Sequence, residues 1–600
     1  MSSPDEVRDG PELQALIRSE VRGYIAGLAQ RYVPLFAGVL AFILLIVIVP
    51  DGTRVTTVAD GLEQTLSTTG GPSLGNTSGH VVSGGTGVPI SAGVASTPGA
   101  LPSTSVAGRL GTDAAAPGFA TPGSPQTTTV GPAGKAGTST AQSGVAGNGT
   151  RCGPGVRQFS FTPYAPLCAP KFTGSNGGST SHGVTPTTIT AVIRSTNDAD
   201  TLSAAGGTPS TAQITRDYQV LANYFNAQFE LYGRKVVLKS FTGRGSFVQE
   251  AGGQDQSGAN TDAQTAYDMD AFADPSGFVL GTYADALASH KIVHFSLIQD
   301  RRTLTANYPY RFAPDWPVED DFGQGIGDLV CQRMARLPAA FAGDSTTRGA
   351  GRTFAMVGPE SATIAPAMQA TVARAKKMCG VTIEMLTYPT DVSQYPTSAT
   401  QIAARLKSDG VTTVISQADP IYMQFLTQSA TRASYYPEWL ALNEAPTASP
   451  RTWDANQLPS MLFSVFWGLH NQQAAETNCY KIYRLADPSG QPQSGNFLPQ
   501  VCSELLSFYG ALQAAGPNLT PATFAEGWFA RPPTSAGEFG PWASGRGAFS
   551  PLGSYVLATW NNSATNAYDG KAGALVACGE RRFSFLNGNL GSGQLRCHKY

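Results

Sequence analysis

The stretch LANYFNAQFELYGRKVVLKSF, residues 221–241, changes its hydrophobic period at its midpoint. Up to Phe229 the apolar residues recur at three- and four-residue steps, which is typical of one face of an α-helix. After Gly233 comes a dense β-branched run, which is typical of a buried strand. A second apolar run, ITAVIRS from Ile189, precedes the helix. Strand, helix and strand in this order predict a right-handed crossover within a parallel sheet.

The same alternation continues through two further sets of elements. The first set adds a helix at 261–272, a strand at 277–280, a helix that ends at residue 290 and a strand at 291–297. The second set has strands at 353–357, 381–386, 411–416 and 439–442, with helices at 324–341, from 361, at 399–407 and at 422–432. These patterns predict an α/β fold with two doubly wound parallel-sheet lobes. Such sheets bind ligands beyond the carboxyl ends of their strands, so two facing sheets would share one cleft.

Charge and length narrow the class of protein. The 600 residues exceed what one hydrophobic core usually organises, so more than one lobe is expected. Lys and Arg number 40 and Asp and Glu 42, for a formal charge of −2. This balance gives no electrostatic reason to expect nucleic acid as a partner.

An apolar run near the start predicts a membrane anchor. Residues 32–49 contain no charge and approach the roughly 20 residues that cross a bilayer. A cleaved signal peptide has an apolar stretch of only about 7 to 15 residues, so we interpret residues 32–50 as a permanent single-pass anchor. Arg18, Arg22 and Arg31 precede it, which predicts a cytoplasmic N-terminus and an extracytoplasmic remainder. Residues 1–31 have helical apolar spacing, which predicts an amphipathic helix that lies on the inner leaflet, meets a partner or extends the anchor.

The composition of residues 51–150 predicts a disordered linker, because Gly, Ser, Thr, Ala and Pro dominate and aromatic residues are almost absent. All eight cysteines follow this linker, on the side of the membrane where disulfides persist. Their even number predicts pairing, while sequence alone leaves the connectivity open. Nearest-neighbour pairing would join Cys152 with Cys168, Cys331 with Cys379, Cys479 with Cys502, and Cys578 with Cys597. With no CxxC pair and partner His, we expect neither a zinc site nor a cofactor.

The sequence offers little for catalysis. Gly343-Asp344-Ser345 resembles a hydrolase nucleophile motif, but it lies in a polar linker where a loop is the better explanation. GxSxG, HExxH and GxxxxGKS motifs are all absent. His294 lies within an apolar strand and is no obvious general base. We therefore predict that the protein is not an enzyme.

Seven segments follow one another in the chain: LANYFNAQFELYGRKVVLKSF, KIVHFSLIQ, YPYRFAP, RTFAMVGPESA, GVTIEMLTYPTD, LKSDGVTTVISQADP and YYPEWLALNE. In this order they resemble type I periplasmic binding proteins, especially the branch that binds leucine, isoleucine and valine. The segment CGPGVRQFSFTPYAPLCAPKFTGSNGG is similar to the start of actinobacterial extracytoplasmic members, so we expect the binding domain to begin near residue 151 and to extend to residue 600. The resemblance implies two lobes joined by three crossings. Lobe one would take about 186–312 and return after 438, and lobe two about 320–437 with part of the C-terminus.

The resemblance also implies where a ligand binds, because the family's ligand lies at strand-end loops. In this chain the implied ligand-binding residues are Ser195, Thr282, Tyr283, Asp300, Ser361, Thr363, Gln417, Asn443 and Glu444. Thr282 and Ser361 could offer hydroxyls and helix-start amides to a carboxylate, and Asp300 or Glu444 could hold an ammonium group. Each of these residue types is also favoured at helix caps and turns for purely structural reasons.

One departure from the family's pattern leaves the ligand open. Amino-acid binders usually carry Tyr-Gly at the start of the lobe-two helix, where this chain has Thr363-Ile364. Tyr283 and Trp467 could line a larger pocket, although a core role for Trp467 is favoured.

Three functions are compatible with the sequence. The leading one is a membrane-tethered solute-binding protein that delivers an amino acid or related metabolite to an ABC permease. The second is a ligand-sensing ectodomain that signals to a membrane partner through residues 1–31. The third is a cell-envelope interaction protein whose cleft has lost its ligand.

Overall fold

The computed structural model describes residues 143–204, 209–442, 448–450, 452–469, 471–472, 477–534, 537–579, 582–585 and 588–597. Every described residue belongs to one compact unit, Ser124–Tyr600. The predicted helix 1–31, anchor 32–50 and linker up to residue 142 therefore lie outside the described residues. Among the residues that are described, no helix combines the length and the apolar character that a membrane span requires.

Fifteen strands occur in the described residues. They are β1 Gly144–Val145, β2 Arg151–Cys152, β3 Thr188–Ser195, β4 Lys235–Thr242, β5 Ala273–Asp274, β6 Val293–Phe295, β7 Arg311–Phe312, β8 Phe354–Pro359, β9 Ile383–Tyr388, β10 Thr413–Ser416, β11 Glu438–Ala441, β12 Met461–Val465, β13 Ser554–Thr565, β14 Ala572–Ala577 and β15 Phe583–Ser584.

Thirteen α-helices lie within the same described ranges. They are α1 Ala199–Ala204, α2 Thr211–Gln228, α3 Phe247–Ala251, α4 Gln256–Asp268, α5 Gly281–Ser289, α6 Arg301–Ala306, α7 Glu319–Leu329, α8 Ala365–Cys379, α9 Tyr395–Ser408, α10 Pro420–Arg432, α11 Asn478–Ala486, α12 Leu498–Ala515 and α13 Pro521–Phe529. A π-helical turn, Val330–Met334, follows α7, and 3-10 turns occupy Val392–Gln394, Leu458–Ser460 and Gly495–Phe497.

The first lobe is built on a five-stranded sheet in the order β4-β3-β5-β6-β7. All four strand pairings in it are parallel. Six of the eight β3 residues are buried, as the continuous apolar run of a central parallel strand predicts. Helix α2 packs its Tyr218, Leu221 and Phe225 into the core, so the helical half of the 221–241 stretch is confirmed.

The second lobe is built on an eight-stranded sheet. Strands β9, β8, β10, β11 and β12 are mutually parallel neighbours in that order. Strand β13 then adds antiparallel to β12, and both β14 and β15 pair antiparallel with β13. The predicted strands 353–357, 381–386, 411–416 and 439–442 correspond to β8, β9, β10 and β11, with ends that shift by one or two residues.

The chain passes three times between the lobes. The first crossing, residues 313–318, joins β7 to α7; the second joins β12 to α11; the third joins α13 to β13. The first and third crossings are tied by a hydrogen bond of 3.0 Å from Ala313 N to Phe549 O. Two parallel-sheet lobes with three crossings are the architecture that the resemblance implied.

The return to the first lobe comes later than the expected residue 438. Strands β11 and β12 both remain in the second sheet, because the buried run Met461–Val465 adds one more parallel strand there. Helices α11 and α12 then pack against α2, where Tyr509 donates a hydrogen bond of 2.9 Å to Ala222 O.

Two predicted elements are wrong. Residues 277–280 form a turn and not a strand, because the Asp274 carboxylate accepts hydrogen bonds from the amide and hydroxyl of Ser276 and bends the chain directly after β5. The helix predicted at 324–341 begins earlier and ends with the π-helical turn at Met334. The left-handed backbone of Arg336, at φ 64°, and the following Pro338 stop it.

The nearest-neighbour disulfide pairing is confirmed at all four positions. Cys152 is bonded to Cys168, Cys331 to Cys379, Cys479 to Cys502, and Cys578 to Cys597. The second bond ties the π-helical turn to the end of α8, and the third ties α11 to α12.

Candidate functional site

The carboxyl ends of the two parallel sheets face each other. In the loop after β4 and α3, the Nε2 of Gln254 donates a hydrogen bond of 3.4 Å to Oγ1 of Thr390, which follows β9 of the other lobe. A Cβ atom placed on Gly252 would lie 2.9 Å from the Cβ of Thr390. Strand-end loops of both lobes therefore meet across one cleft, where doubly wound sheets bind ligands.

Glu319, the first residue of α7, joins the two lobes at the base of this cleft. Its amide donates a hydrogen bond of 3.0 Å to Gln299 O, which follows β6 of the first lobe. Its carboxylate accepts from Trp316 Nε1 and from Gln417 Nε2, each at 2.6 Å. Complete burial raises the pKa of Glu319 to about 7, although both donors lower it. The predicted ligand residue Gln417 thus uses its amide to hold Glu319.

The predicted residues of the first lobe divide between cleft and core. Thr282 lies at the start of α5 and donates its hydroxyl to Gln254 O at 2.9 Å, so it positions the residue that touches the second lobe. Ser195 ends β3 and hydrogen-bonds at 3.4 Å with Thr242 at the end of β4. Asp300 caps α6 by accepting from Thr303 N at 2.6 Å, which is the structural role that its residue type favours.

Tyr283 is fully buried, so the structure does not place it on a pocket surface. The guanidinium of Arg194 lies 3.6 Å from its ring centroid, and its hydroxyl donates to Asp274 at 3.3 Å. Burial raises the pKa of Asp274 to about 6, although hydrogen bonds from Ser276 lower it. Tyr283 therefore supports the strand ends from beneath.

Arg194 forms a buried ion network that the sequence analysis did not find. Its two terminal nitrogens donate to the two carboxylate oxygens of Glu250 at 2.7 and 2.6 Å, and Nη1 also reaches Asp262 at 3.0 Å. Glu250 belongs to α3, Asp262 to α4 and Tyr283 to α5, so one cation ties three helices to the end of β3. The sequence signal that could have indicated this network is an arginine inside the otherwise apolar run of β3.

In the second lobe, Ser361 and Thr363 shape the turn that begins α8. Ser361 Oγ accepts from Thr363 N at 3.3 Å, and Ser361 O accepts from Ala365 N at 2.9 Å. Ser361 is buried and Thr363 is half-buried. The last two predicted ligand residues, Asn443 and Glu444, lie outside the described residues.

A second group missed from the sequence surrounds Asp419, directly after β10. Its carboxylate accepts hydrogen bonds from the hydroxyls of Tyr388 at 2.8 Å and Tyr395 at 3.0 Å, and from Tyr422 N at 2.9 Å. The rings of Tyr388 and Tyr422 stack with centroids 3.4 Å apart. Burial raises the pKa of Asp419, although these donors lower it. The aromatic group makes this strand-end loop rigid.

An open cavity of about 850 Å³ lies at the carboxyl ends of β3 and β4. Its walls are rich in hydroxyl and amide groups, among them Ser195, Asn197, Thr211, Arg216 and Thr242. Ser195 is the one predicted ligand residue that lines it. All of its described walls come from the first lobe.

A carboxyl pair lies buried beside the first crossing. Asp315 of that crossing and Glu504 of α12 are 1% and 0% exposed, and the hydroxyl of Tyr218 donates to Glu504. Gly277 leaves room for the pair, since a Cβ there would overlap Glu504 Oε1 and come within 2.7 Å of Asp315 Oδ2. Burial raises the pKa of Asp315 to about 7, and burial with the neighbouring Asp315 raises the pKa of Glu504 well above its ordinary value.

Groups considered for catalysis or for the pocket have structural partners. The Asp344 carboxylate of the Gly-Asp-Ser motif accepts from the amides of Thr346 and Thr347 at 2.9 and 2.8 Å. His294 is fully buried beside Arg311, and burial lowers its pKa to about 3. Trp467 is buried against Phe466, in the core role that its residue type favours.

No protein-family model and no curated protein matches the chain. Similar solved structures include a fatty acid ABC transporter substrate-binding protein from Thermomonospora curvata, at 15% identity and a TM-score of 0.48, over 70% of this chain and 99% of that one. A branched-chain amino acid transporter substrate binding protein from Streptococcus pneumoniae in complex with isoleucine has 9% identity and a TM-score of 0.44, over 65% and 99%. A solute binding protein of an ABC transporter from R. palustris in complex with 4-hydroxybenzoate has 13% identity and a TM-score of 0.47, over 66% and 97%.

All three are solute-binding proteins of ABC transporters by description. Their identities are low and their TM-scores lie below 0.5, so they carry no inference about the ligand of this chain. The two sheets and three crossings of this chain define its fold.

Replacing Arg194 by Met should lower the free energy of unfolding by about 3 to 5 kcal/mol, because Glu250 and Asp262 would remain buried without their cation. Urea denaturation of the purified protein measures the change. Arg302→Met is the matched control, since that side chain is 89% exposed and should change stability by no more than about 0.5 kcal/mol. A loss below about 1 kcal/mol for Arg194→Met would contradict a stabilising role for the network.

Asp315→Asn should reduce the dependence of stability on pH. A carboxyl whose pKa is higher in the folded protein stabilises that state below its unfolded pKa of about 3.9, and this contribution is lost as pH rises through about 7. The wild type should therefore lose about 2 kcal/mol more than Asp315→Asn between pH 5 and pH 8, by urea denaturation at both values. Asp569→Asn, at a side chain 49% exposed, should follow the wild type. Equal pH profiles for the wild type and Asp315→Asn would refute the assignment.

Proposed function

We propose that the protein captures a small organic solute between its two lobes. The observation that carries this proposal is the contact of Gln254 with Thr390, which joins strand-end loops of opposite sheets. Two lobes that touch at the rim of a cleft can enclose a ligand that contacts both. Such a ligand selects the closed arrangement through its differential affinity for it.

The cleft walls suit a solute with a carboxylate. Helices α5 and α8 both begin at strand-end loops, next to Thr282 and Ser361. The positive end of the helix dipole favours negative charge at such a start. At α8 the amides of Ala365 and Ala367 already donate to Ser361 O and Ile364 O, so the dipole supplies the attraction there. We therefore propose an amino acid or a related carboxylate metabolite as the ligand, while Thr282 itself orients Gln254 through its hydroxyl.

We further propose that the lobes work outside the cell, held by the predicted anchor at 32–50, and pass their solute to an ABC permease. Four disulfides within the described residues support an oxidising location. Binding without chemistry agrees with the roles of Asp344 in a turn and of His294 as a buried neutral group.

A thermal-shift screen of the full-length chain against a metabolite panel tests capture. A true ligand at 100 times its Kd should stabilise the protein by about 2.7 kcal/mol. Amino acids and other small carboxylates should contain the active compounds. If no compound of a broad panel shifts the denaturation midpoint, capture of a small molecule is contradicted. That result would favour the cell-envelope interaction protein whose cleft has lost its ligand.

A ligand found in that screen should accelerate cross-linking of a Gly252→Cys/Thr390→Cys variant. The Cβ atom introduced at Gly252 would lie 2.9 Å from that of residue 390, so a small shift brings the pair to the roughly 3.5 to 4.5 Å that a disulfide needs, and opening of the lobes would move them apart. Non-reducing electrophoresis after mild oxidation gives the rate. The matched control is Gly343→Cys/Tyr436→Cys, within the second lobe, where a Cβ on Gly343 would lie 2.7 Å from the Cβ of Tyr436. A ligand that changes both rates equally, or neither, would count against closure.

A further inference from the structure

Arg531 is a buried cation at the start of the third crossing. It is 7% exposed and follows the end of α13. Its guanidinium carbon lies 3.8 Å from the ring centroid of Trp528 and 6.0 Å from that of Trp542. An arginine keeps its proton in proteins, so the charge stays in this aromatic surrounding.

The hydrogen bonds of this arginine are incomplete. Nη2 donates to Ala548 O at 3.3 Å, but Nε and Nη1 are buried and make no hydrogen bond within the described ranges. The indole nitrogen of Trp542 is likewise buried and unpartnered there. By contrast, Trp528 Nε1 donates to Ala548 O at 3.0 Å. Three donor nitrogens, two of the guanidinium and one of the indole, therefore have no acceptor in the described part of the chain.

No carboxylate of the described chain forms an ion pair with Arg531. Burial is the cause that lowers its pKa to about 9, with no opposing acid. Another cation is nearby, since Arg157 donates to Pro533 O at 2.7 Å, two residues further along the chain. An unpaired buried charge is strongly destabilising unless a counter-ion accompanies it.

The site is enclosed by the disulfide loop at the start of the domain. Tyr164, between Cys152 and Cys168, lies with its ring centroid 4.4 Å from that of Trp542, and its hydroxyl donates to Gly540 O at 2.8 Å. Phe539 packs against the same tyrosine at 5.0 Å. The unpartnered groups around the guanidinium are thus N–H donors beside aromatic rings, so a missing partner would have to be an acceptor and not a cation.

We propose that Arg531 and the indole N–H of Trp542 bind a small monovalent anion, either a halide ion or the carboxylate of a small acid. The anion accepts hydrogen bonds from these three donor nitrogens and neutralises the buried guanidinium. This site is separate from the proposed solute cleft, and it stabilises the third crossing.

Thermal denaturation of the full-length protein tests the proposal at constant ionic strength. Replacing sodium gluconate, whose anion is large, by sodium chloride should raise the wild-type midpoint by about 2 °C or more. Arg531→Met should be insensitive to the exchange and should exceed the wild type in gluconate, because it lacks the unpaired charge. Trp542→Phe, which keeps the ring and removes one donor, should need a higher chloride concentration. Arg302→Met should respond as the wild type does.

A second series of the same thermal denaturation measurements replaces gluconate by formate or acetate. Stabilisation by formate at lower concentrations than chloride would identify a carboxylate as the preferred anion, and the reverse order a halide; both orders support the site. Crystals grown with bromide should show an anomalous peak beside the Arg531 guanidinium in the wild type and none in Arg531→Met. Equal anion dependence in the wild type and Arg531→Met, or no bromide at this position, would overturn the proposal.

Discussion

The paired hydrogen bonds between Arg194 and Glu250 fix the cleft wall of the first lobe. A parallel sheet supplies strand ends, but the loops that follow them need a common anchor before they can present groups to a ligand. Here one guanidinium at the end of β3 binds carboxylates from α3 and α4 and covers the ring of Tyr283 in α5. Because the network is buried, loss of the arginine leaves two carboxylates without their cation and disturbs all three helices.

In the second lobe, neutral hydrogen-bond donors hold the strand-end loop that follows β10. Three tyrosines surround Asp419, and two of them give it hydroxyl hydrogen bonds while the third contributes its backbone amide. Glu319 then connects the lobes at the cleft base through Gln299 on one side and Gln417 on the other. The polar groups closest to the cleft are therefore mostly engaged in holding loops, and a ligand would bind chiefly through backbone groups and the remaining hydrogen-bonding capacity of these side chains.

Much of this fold could be predicted, because continuous apolar runs such as those of β3, β8 and β10 belong to buried parallel strands and need no knowledge of distant contacts. Short strands such as β5 were not predicted, because two residues show no periodicity and the Asp274 carboxylate bends the chain directly after them. The candidate site was harder to predict than the fold. Gln417 and Thr282 were found at strand ends, but their partners Glu319 and Gln254 lie 98 and 28 residues away in the chain, and only the folded structure brings them together.

The late arrival of α11 to α13 has a consequence for synthesis on the ribosome. Helix α2 and the sheet beside it receive their cover from α12, so that Tyr218 meets Glu504 across 286 residues and Tyr509 meets Ala222 across 287. The first sheet to be translated therefore leaves the exit tunnel with an apolar face uncovered while the whole central part of the second lobe is still being made. The core of the first lobe is therefore completed only after α12 has been made, and its folding rests on contacts of very long sequence separation, which form slowly.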